Sequence, residues 1–262
     1  MIRLYAWSEV PNFGDRLSKV IVEWVSQRPV SLVRAGVRNK LLAVGSVVQL
    51  AQPGDVLWGT GIHPDGYESF WKNSSKARLQ LTALAVRGPI TRDVLLARQI
   101  DCPGIYGDPA ILLPLLYPKS LTPTHAAILL PHFNDYGYFS SHPDACLGVP
   151  VVNPAAPWQQ IVDAVTSASL VIASSLHGLI VAEAYGVPAI WFRPNQSEGY
   201  LKYQDYYAST QRAPMPVNDL KWCLRKQPPA VPDYTEMRAR LMAAFDTRLI
   251  ESKCSDPVTQ EG

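Results

Sequence analysis

The densest group of reactive side chains in the sequence is Ser174-Ser175-Leu176-His177-Gly178, directly after the apolar residues 170–173. A buried strand there delivers two hydroxyls and an imidazole onto the start of a helix of small residues. Imidazole titrates near neutrality, so His177 can exchange a proton with a substrate or, as a cation, stabilise a leaving phosphate. Glu183 and Gly186-Val187-Pro188 follow on the same segment. A histidine packed in the core is the bland alternative, and the flanking serines at a strand-to-helix turn weigh against it.

Five further clusters also fall where an apolar run gives way to a turn. In Asn12-Phe13-Gly14-Asp15, Gly14 permits close backbone approach to a ligand, the helix start favours an anion, and Asp15 can accept a hydroxyl proton. Helix capping explains the same residues without chemistry. Trp58-Gly59-Thr60-Gly61 offers a ring to stack on a sugar, or only a turn. In Val86-Arg87-Gly88-Pro89, Arg87 presents a rigid fork of donors matched to carboxylate or phosphate, or else a structural ion pair. Asp108 in Gly107-Asp108-Pro109-Ala110 can orient an arginine or bind an acceptor hydroxyl, although this is also ordinary turn chemistry. Arg193 closes an apolar run, and Lys202-Tyr203-Gln204-Asp205-Tyr206-Tyr207 adds a cation and hydroxyls beyond it. No P-loop, H-E-x-x-H or G-x-S-x-G motif is present, so chemistry by those routes has no support.

The elements that must hold these groups read as alternating strands and amphipathic helices, the pattern of βαβ units and parallel sheets. Strands are expected at residues 2–6, 41–44, 55–57, 84–87 and 104–106, with helices at 15–26 and 89–99. The second series has strands at 126–130, 149–152, 170–173 and 189–192, and helices at 158–168, 178–185 and 235–250. Residues 111–124 carry Pro114, Pro118 and Pro123 and read as an interdomain linker or crossover. This divides the chain into an N-terminal half at 1–120, a C-terminal half at 121–250 and a loose tail at 251–262. Ligands of open α/β sheets bind beyond the carboxyl ends of the strands, and the reactive clusters sit there.

Composition narrows the function classes. Hydrophobic residues make up 47% of the 262, enough for a sizeable core, and the net charge is only +2. That balance gives no footprint for nucleic acid, so none is expected as a partner. Four widely spaced cysteines suit free thiols in a reducing compartment, and metal ligation has no visible cluster. The N-terminal residues lack the pattern of a signal peptide. Residues 164–182 carry no formal charge, but their serines, threonine and histidine argue against a membrane span.

In order, Asn12-Phe13-Gly14-Asp15, Val86-Arg87-Gly88-Pro89-Ile90-Thr91, Gly107-Asp108-Pro109-Ala110, Ser174 through Gly178, Glu183 through Pro188 and Lys202 to Tyr206 resemble the polysaccharide pyruvyl transferase family. The Ser-Ser-Leu-His-Gly form is most similar to the bacterial exopolysaccharide branch with xanthan-type ketal transferases. The resemblance implies an α/β fold of two Rossmann-like halves facing a cleft, similar to the GT-B glycosyltransferases. It implies phosphoenolpyruvate as donor, with no further cofactor, and a sugar of a lipid-linked oligosaccharide as acceptor. A cytoplasmic protein in peripheral contact with the inner membrane would suit that acceptor. His177, Asp15 and Lys202 are then expected to be catalytic. Arg87, Arg193, Ser174, Ser175 and Gly178 are expected at the donor, and Asn12, Asp108, Trp58 and Glu183 at the acceptor. Many relatives carry arginine where this chain has Ser175, and Arg193 is the expected substitute. Two rival readings remain: a GT-B glycosyltransferase or sugar-nucleotide epimerase using Glu183 at a ribose, and a non-catalytic glycan-binding assembly subunit.

Overall fold

The apolar residues after Met1 form β1 (Ile2–Tyr5), and the amphipathic stretch beyond Asn12 forms α1 (Phe13–Ser26). The structure is a computed structural model that describes residues 1–63, 80–194 and 199–255. Asn12 caps α1 by accepting the Asp15 N–H at 3.1 Å, which satisfies one of the donors left open at a helix start. Leu17, Ile21 and Val22 bury the inner face of α1. Four more strands, β2 (Val30–Leu32), β3 (Leu41–Leu42), β4 (Val56–Trp58) and β5 (Thr82–Ala85), join β1 in a parallel sheet of order β2-β1-β3-β4-β5. A first-turn proline opens α2 (Pro89–Ala97), where its missing N–H costs nothing.

The chain then crosses to a second sheet through a 3₁₀ turn (Pro109–Leu112) and α3 (Leu113–Leu116). Of the three prolines expected in this linker or crossover, Pro114 sits in the first turn of α3 while Pro118 and Pro123 lie in irregular chain, and Ile111, Leu112 and Leu113 are fully buried. β6 (Ile128–Leu130), β7 (Val171–Ala173) and β8 (Ala189–Trp191) are parallel in that order. All nine of their residues are buried, so they read in sequence as unbroken apolar runs. Around them lie α4 (Phe133–Ser141), α5 (Trp158–Thr166), α6 (Leu176–Ala184), α7 (Leu201–Ser209) and α8 (Leu220–Arg225). One continuous core joins both sheets, running from Leu4 and Leu17 through Ile111 to Leu179 and Trp191.

The expected mixed α/β architecture with parallel sheets is therefore present, with three differences. β2, α3, α4, α7 and α8 were not anticipated, and the expected strands at 104–106 and 149–152 shrink to single bridges, Val86 to Tyr106 and Leu129 to Val151. The final helix is two, α9 (Thr235–Ala243) and α10 (Thr247–Cys254), separated where Asp246 caps the second. These two helices return to the first sheet: Trp58 Nε1 donates to the Leu241 carbonyl at 2.9 Å, and Ser255 bridges antiparallel to Ile2. Residues 235–255 thus reach the N-terminal strands, and Arg238 of α9 also donates to the Ala184 carbonyl at the end of α6. The expected loose tail is helical through Cys254, which is buried; residues 256–262 lie outside the described part. No described helix is long and apolar enough to cross a membrane. The uncharged stretch 164–182 is the end of α5, then β7, then most of α6.

Candidate active site between the two sheets

A cleft of about 500 Å³ opens between the carboxyl ends of the two sheets. That size falls in the usual range of small-molecule sites, about 300–1,000 Å³. The first sheet contributes Tyr5, Trp7 and the Asn12–Asp15 turn; the second contributes His132, Phe133 and the Ser175–His177 turn. Lys202 enters from the first turn of α7.

At His177 the two halves come into contact inside the cleft. It is the second residue of α6, whose cap is Ser175: the Ser175 Oγ accepts the Gly178 N–H at 3.1 Å. The imidazole lies against Gly14 at the start of α1, so closely that a Cβ on Gly14 would stand 1.8 Å from Nδ1. Only glycine leaves room for the ring. Behind it, Nε2 faces Asp108 Oδ2 at 3.5 Å. Asp108 is wholly buried, and its other oxygen accepts the Ala110 N–H at 3.0 Å, which fixes the carboxylate in place. Neither Nε2 nor Oδ2 has a hydrogen bond among the described residues. Contacts of this kind are commonly long before substrate arrives and tighten in the reacting complex.

Asp15 adjoins this pair. Burial pushes its carboxyl above the ordinary 3.8, opposed by the charge of His177, a hydrogen bond from Asn12 and the charge of Lys202, and reinforced by the charge of Asp108. A raised carboxyl is a stronger base than an ordinary one. The Tyr5 hydroxyl is also pushed up, first by burial and then by Asp15 and Glu9, so it faces the cleft as a neutral donor. One corner thus holds an imidazole, a basic carboxylate and an ammonium within mutual electrostatic reach.

Of the expected site residues, the structure brings His177, Asp15, Lys202, Asn12 and Ser175 onto the cleft wall, with Asp108 directly behind. The other expectations are corrected. Arg87 is fully buried: Nε pairs with Asp205 at 3.1 Å, Nη2 donates to the Ile62 carbonyl, and Nη1 donates to Ser46 Oγ. It touches the cleft only through Ser46, because a buried carboxylate on α7 has claimed the guanidinium. Trp58 stands edge-on to Phe245 inside the core and offers no platform to a sugar. Glu183 is buried and accepts from Arg212 at 2.7 and 2.8 Å and from the Tyr206 and Tyr234 hydroxyls, a network remote from the cleft wall. Arg193 lies 5.6 Å over the Tyr200 ring and does not border the cleft. Ser174 joins sheet to helix, accepting the His132 N–H at 2.7 Å and donating to Asp135 at 2.6 Å. Gly178 serves the cap of α6.

Sequence reasoning missed Trp7, His132 and Phe133. All three follow strands directly, as His177 does, so the test that singled out His177 would have found them too. Among the described residues, no group of three or more His, Cys, Asp or Glu side chains is placed to hold a metal ion.

A family model described as "Polysaccharide pyruvyl transferase" matches residues 12–196, from the capped start of α1 past β8. No curated protein matches the chain. Among solved structures, a functionally uncharacterized protein of Klebsiella pneumoniae subsp. pneumoniae NTUH-K2044 is similar at 16% identity, covering 82% of this chain and 92% of its own, with a TM-score of 0.49.

Proposed function

The chain belongs to the polysaccharide pyruvyl transferase family, and on that premise we propose that it moves the pyruvyl group of phosphoenolpyruvate onto two hydroxyls of one sugar, as a cyclic ketal. Family membership places it among transferases that act on polysaccharide. The finer reading is a xanthan-type acceptor, a lipid-linked repeat unit met at the cytoplasmic face of the membrane. The observation that carries this reading is His177 wedged against Gly14 in the cleft, with Asp15 and Lys202 beside it.

In this reading Lys202 and the positive end of α6 hold the donor's carboxylate and phosphate. His177 gives a proton to the methylene carbon, and an oxocarbenium-like centre develops at the adjacent carbon. A sugar hydroxyl bonds to that centre and passes its proton to Asp15. The carbon–oxygen bond to phosphate breaks, and its electron pair leaves on the phosphate. A neighbouring hydroxyl then adds to the same carbon and closes the ketal. Of the two hydroxyl protons released, one restores His177 and the other departs with phosphate. Asp108 touches no substrate; it holds the imidazole from behind.

The glycosyltransferase and epimerase alternative loses its main contact, since Glu183 is committed to Arg212 and two tyrosines. A positioned acid–base group supplies roughly 10²–10⁴ in rate. His177→Ala is therefore expected to cut phosphate release from phosphoenolpyruvate plus oligosaccharide acceptor by that factor, with the melting temperature retained. Wild-type turnover in the folded variant would overturn the assignment.

A further inference from the structure

Besides the acid–base groups, the cleft wall carries aromatic side chains. Trp7 follows β1 and Phe133 opens α4 directly beyond β6, so the two rings come from different sheets. They meet across the cleft, with ring centroids 5.7 Å apart and planes 25° from parallel. His132 continues the surface, its ring 4.0 Å from that of Phe133. Trp7 and Phe133 are half-buried, and both border the cleft. The cleft wall also carries hydrogen-bonding groups: the Glu9 carboxylate, the Tyr5 hydroxyl, and the Gln49 amide, which already donates to the Ser46 carbonyl and accepts the His63 N–H.

Large aromatic surface left open to solvent inside a cleft is costly unless something covers it. A donor as small and as highly charged as phosphoenolpyruvate suits the ammonium and imidazole corner, and its anionic groups gain nothing from ring faces. A pyranose has the complementary chemistry: one face of C–H bonds that lies flat on an aromatic ring, and a rim of hydroxyls that reaches polar groups at its edge.

We propose that Trp7 and Phe133 form the sugar subsite of this cleft, a platform on which a pyranose ring of the acceptor stacks while the Glu9 carboxylate takes its hydroxyls. The assignment rests on the proposed transfer reaction for its chemistry, but sugar binding can be tested alone. It also moves the aromatic contact from Trp58, which is sealed in the core, to Trp7.

The test uses the full chain and two probes. A panel of disaccharides (cellobiose, lactose and maltose) is titrated and followed by saturation-transfer NMR, and phosphoenolpyruvate alone is titrated by calorimetry. Trp7→Ala and Phe133→Leu are compared with Trp7→Phe, which keeps a ring and controls for folding. At least one disaccharide is expected to bind wild type. Its binding should weaken roughly tenfold in Trp7→Ala and Phe133→Leu, equivalent to about 1.4 kcal/mol. Trp7→Phe should recover most of the affinity, and phosphoenolpyruvate should bind all forms equally. The subsite is overturned if no disaccharide binds, or if binding ignores the loss of either ring. Sugar binding that depends on the rings, in a protein that ignores phosphoenolpyruvate, would support the subsite while removing the transfer reaction.

Discussion

Replacing Gly14 by alanine adds one methyl group and removes no chemical function, yet it should act on the reaction as if the histidine had been damaged. The new Cβ would lie 1.8 Å from His177 Nδ1, 2.3 Å from Cγ and 2.6 Å from Cε1, whereas ordinary contact starts near 3.4 Å. The ring must therefore retreat by about 1.6 Å (3.4 − 1.8). Its Cα cannot follow, because the flanking residues of α6 are packed in the core. The ring rotates instead, away from its place before Asp108. A misplacement of about 1 Å costs on the order of 10²-fold in a well-aligned reaction, so turnover should fall by at least about that. Stability should hardly change: alanine in a helix gains about 0.5–1 kcal/mol over glycine, and an off-rotamer ring costs about 0.5–1.5 kcal/mol. The assay is phosphate release from phosphoenolpyruvate with acceptor, run as a double-mutant cycle. In His177→Ala, which vacates the space, adding Gly14→Ala should cost no further activity. Undiminished turnover in Gly14→Ala, or an equal loss in both backgrounds, would refute the idea that this contact places the His177 ring for the proposed reaction.

Other perturbations follow from groups already located. The Asp15 carboxyl is raised, so its contribution to stability is complete below its ordinary value of 3.8 and is lost as pH climbs through the higher folded value. Asp15→Asn should accordingly melt above wild type at neutral pH, and the gap should close on acidification towards 3.8; parallel melting curves at every pH would contradict this. Burial pushes the thiol of Cys102 up to about 11 and those of Cys223 and Cys254 up to about 12, so the native protein at pH 8 should resist iodoacetamide that labels every cysteine in denaturant, as read by mass spectrometry. Asp205→Ala leaves the Arg87 guanidinium buried without its carboxylate, and urea denaturation should show a loss of about 3–5 kcal/mol. A change below 1 kcal/mol would mean that this pair does little to hold α7 against the first half.

Most strands and the His177 turn were readable because they obey local rules. β7 is an apolar run, Ser175 is a helix cap, and His177 follows at once, so three adjacent signals agree. The missed helices lack such agreement. α7 is rich in tyrosine, and its sides answer to different neighbours: Tyr203 stacks on Trp191 at 4.0 Å, Asp205 reaches across to Arg87 and Thr91, and Tyr206 joins the Glu183 network. No single apolar stripe announces it. Arg87 was misread for a related reason. Its partner lies 118 residues away in sequence, and only the fold decides whether a guanidinium meets a ligand or a buried aspartate. Trp58 was assigned to a sugar because a glycine-rich turn follows it, while the helix that covers it arrives almost at the far end of the chain.

That late cover bears on the order in which the protein can be made. Chains emerge from the ribosome from the amino end, and early segments generally fold first. Here the opening strand borrows its finish from the last described residues: Ser255 bridges Ile2, Lys253 Nζ donates to Thr82 at 2.8 Å, and Arg28 pairs with Glu251. A nascent chain stalled after β8 would carry five strands whose outer apolar surface is still uncovered. Maturation of the amino-terminal sheet must therefore wait until α9 and α10 have been made, and a stop codon anywhere before α9 should leave a product that chaperones and proteases recognise as incomplete.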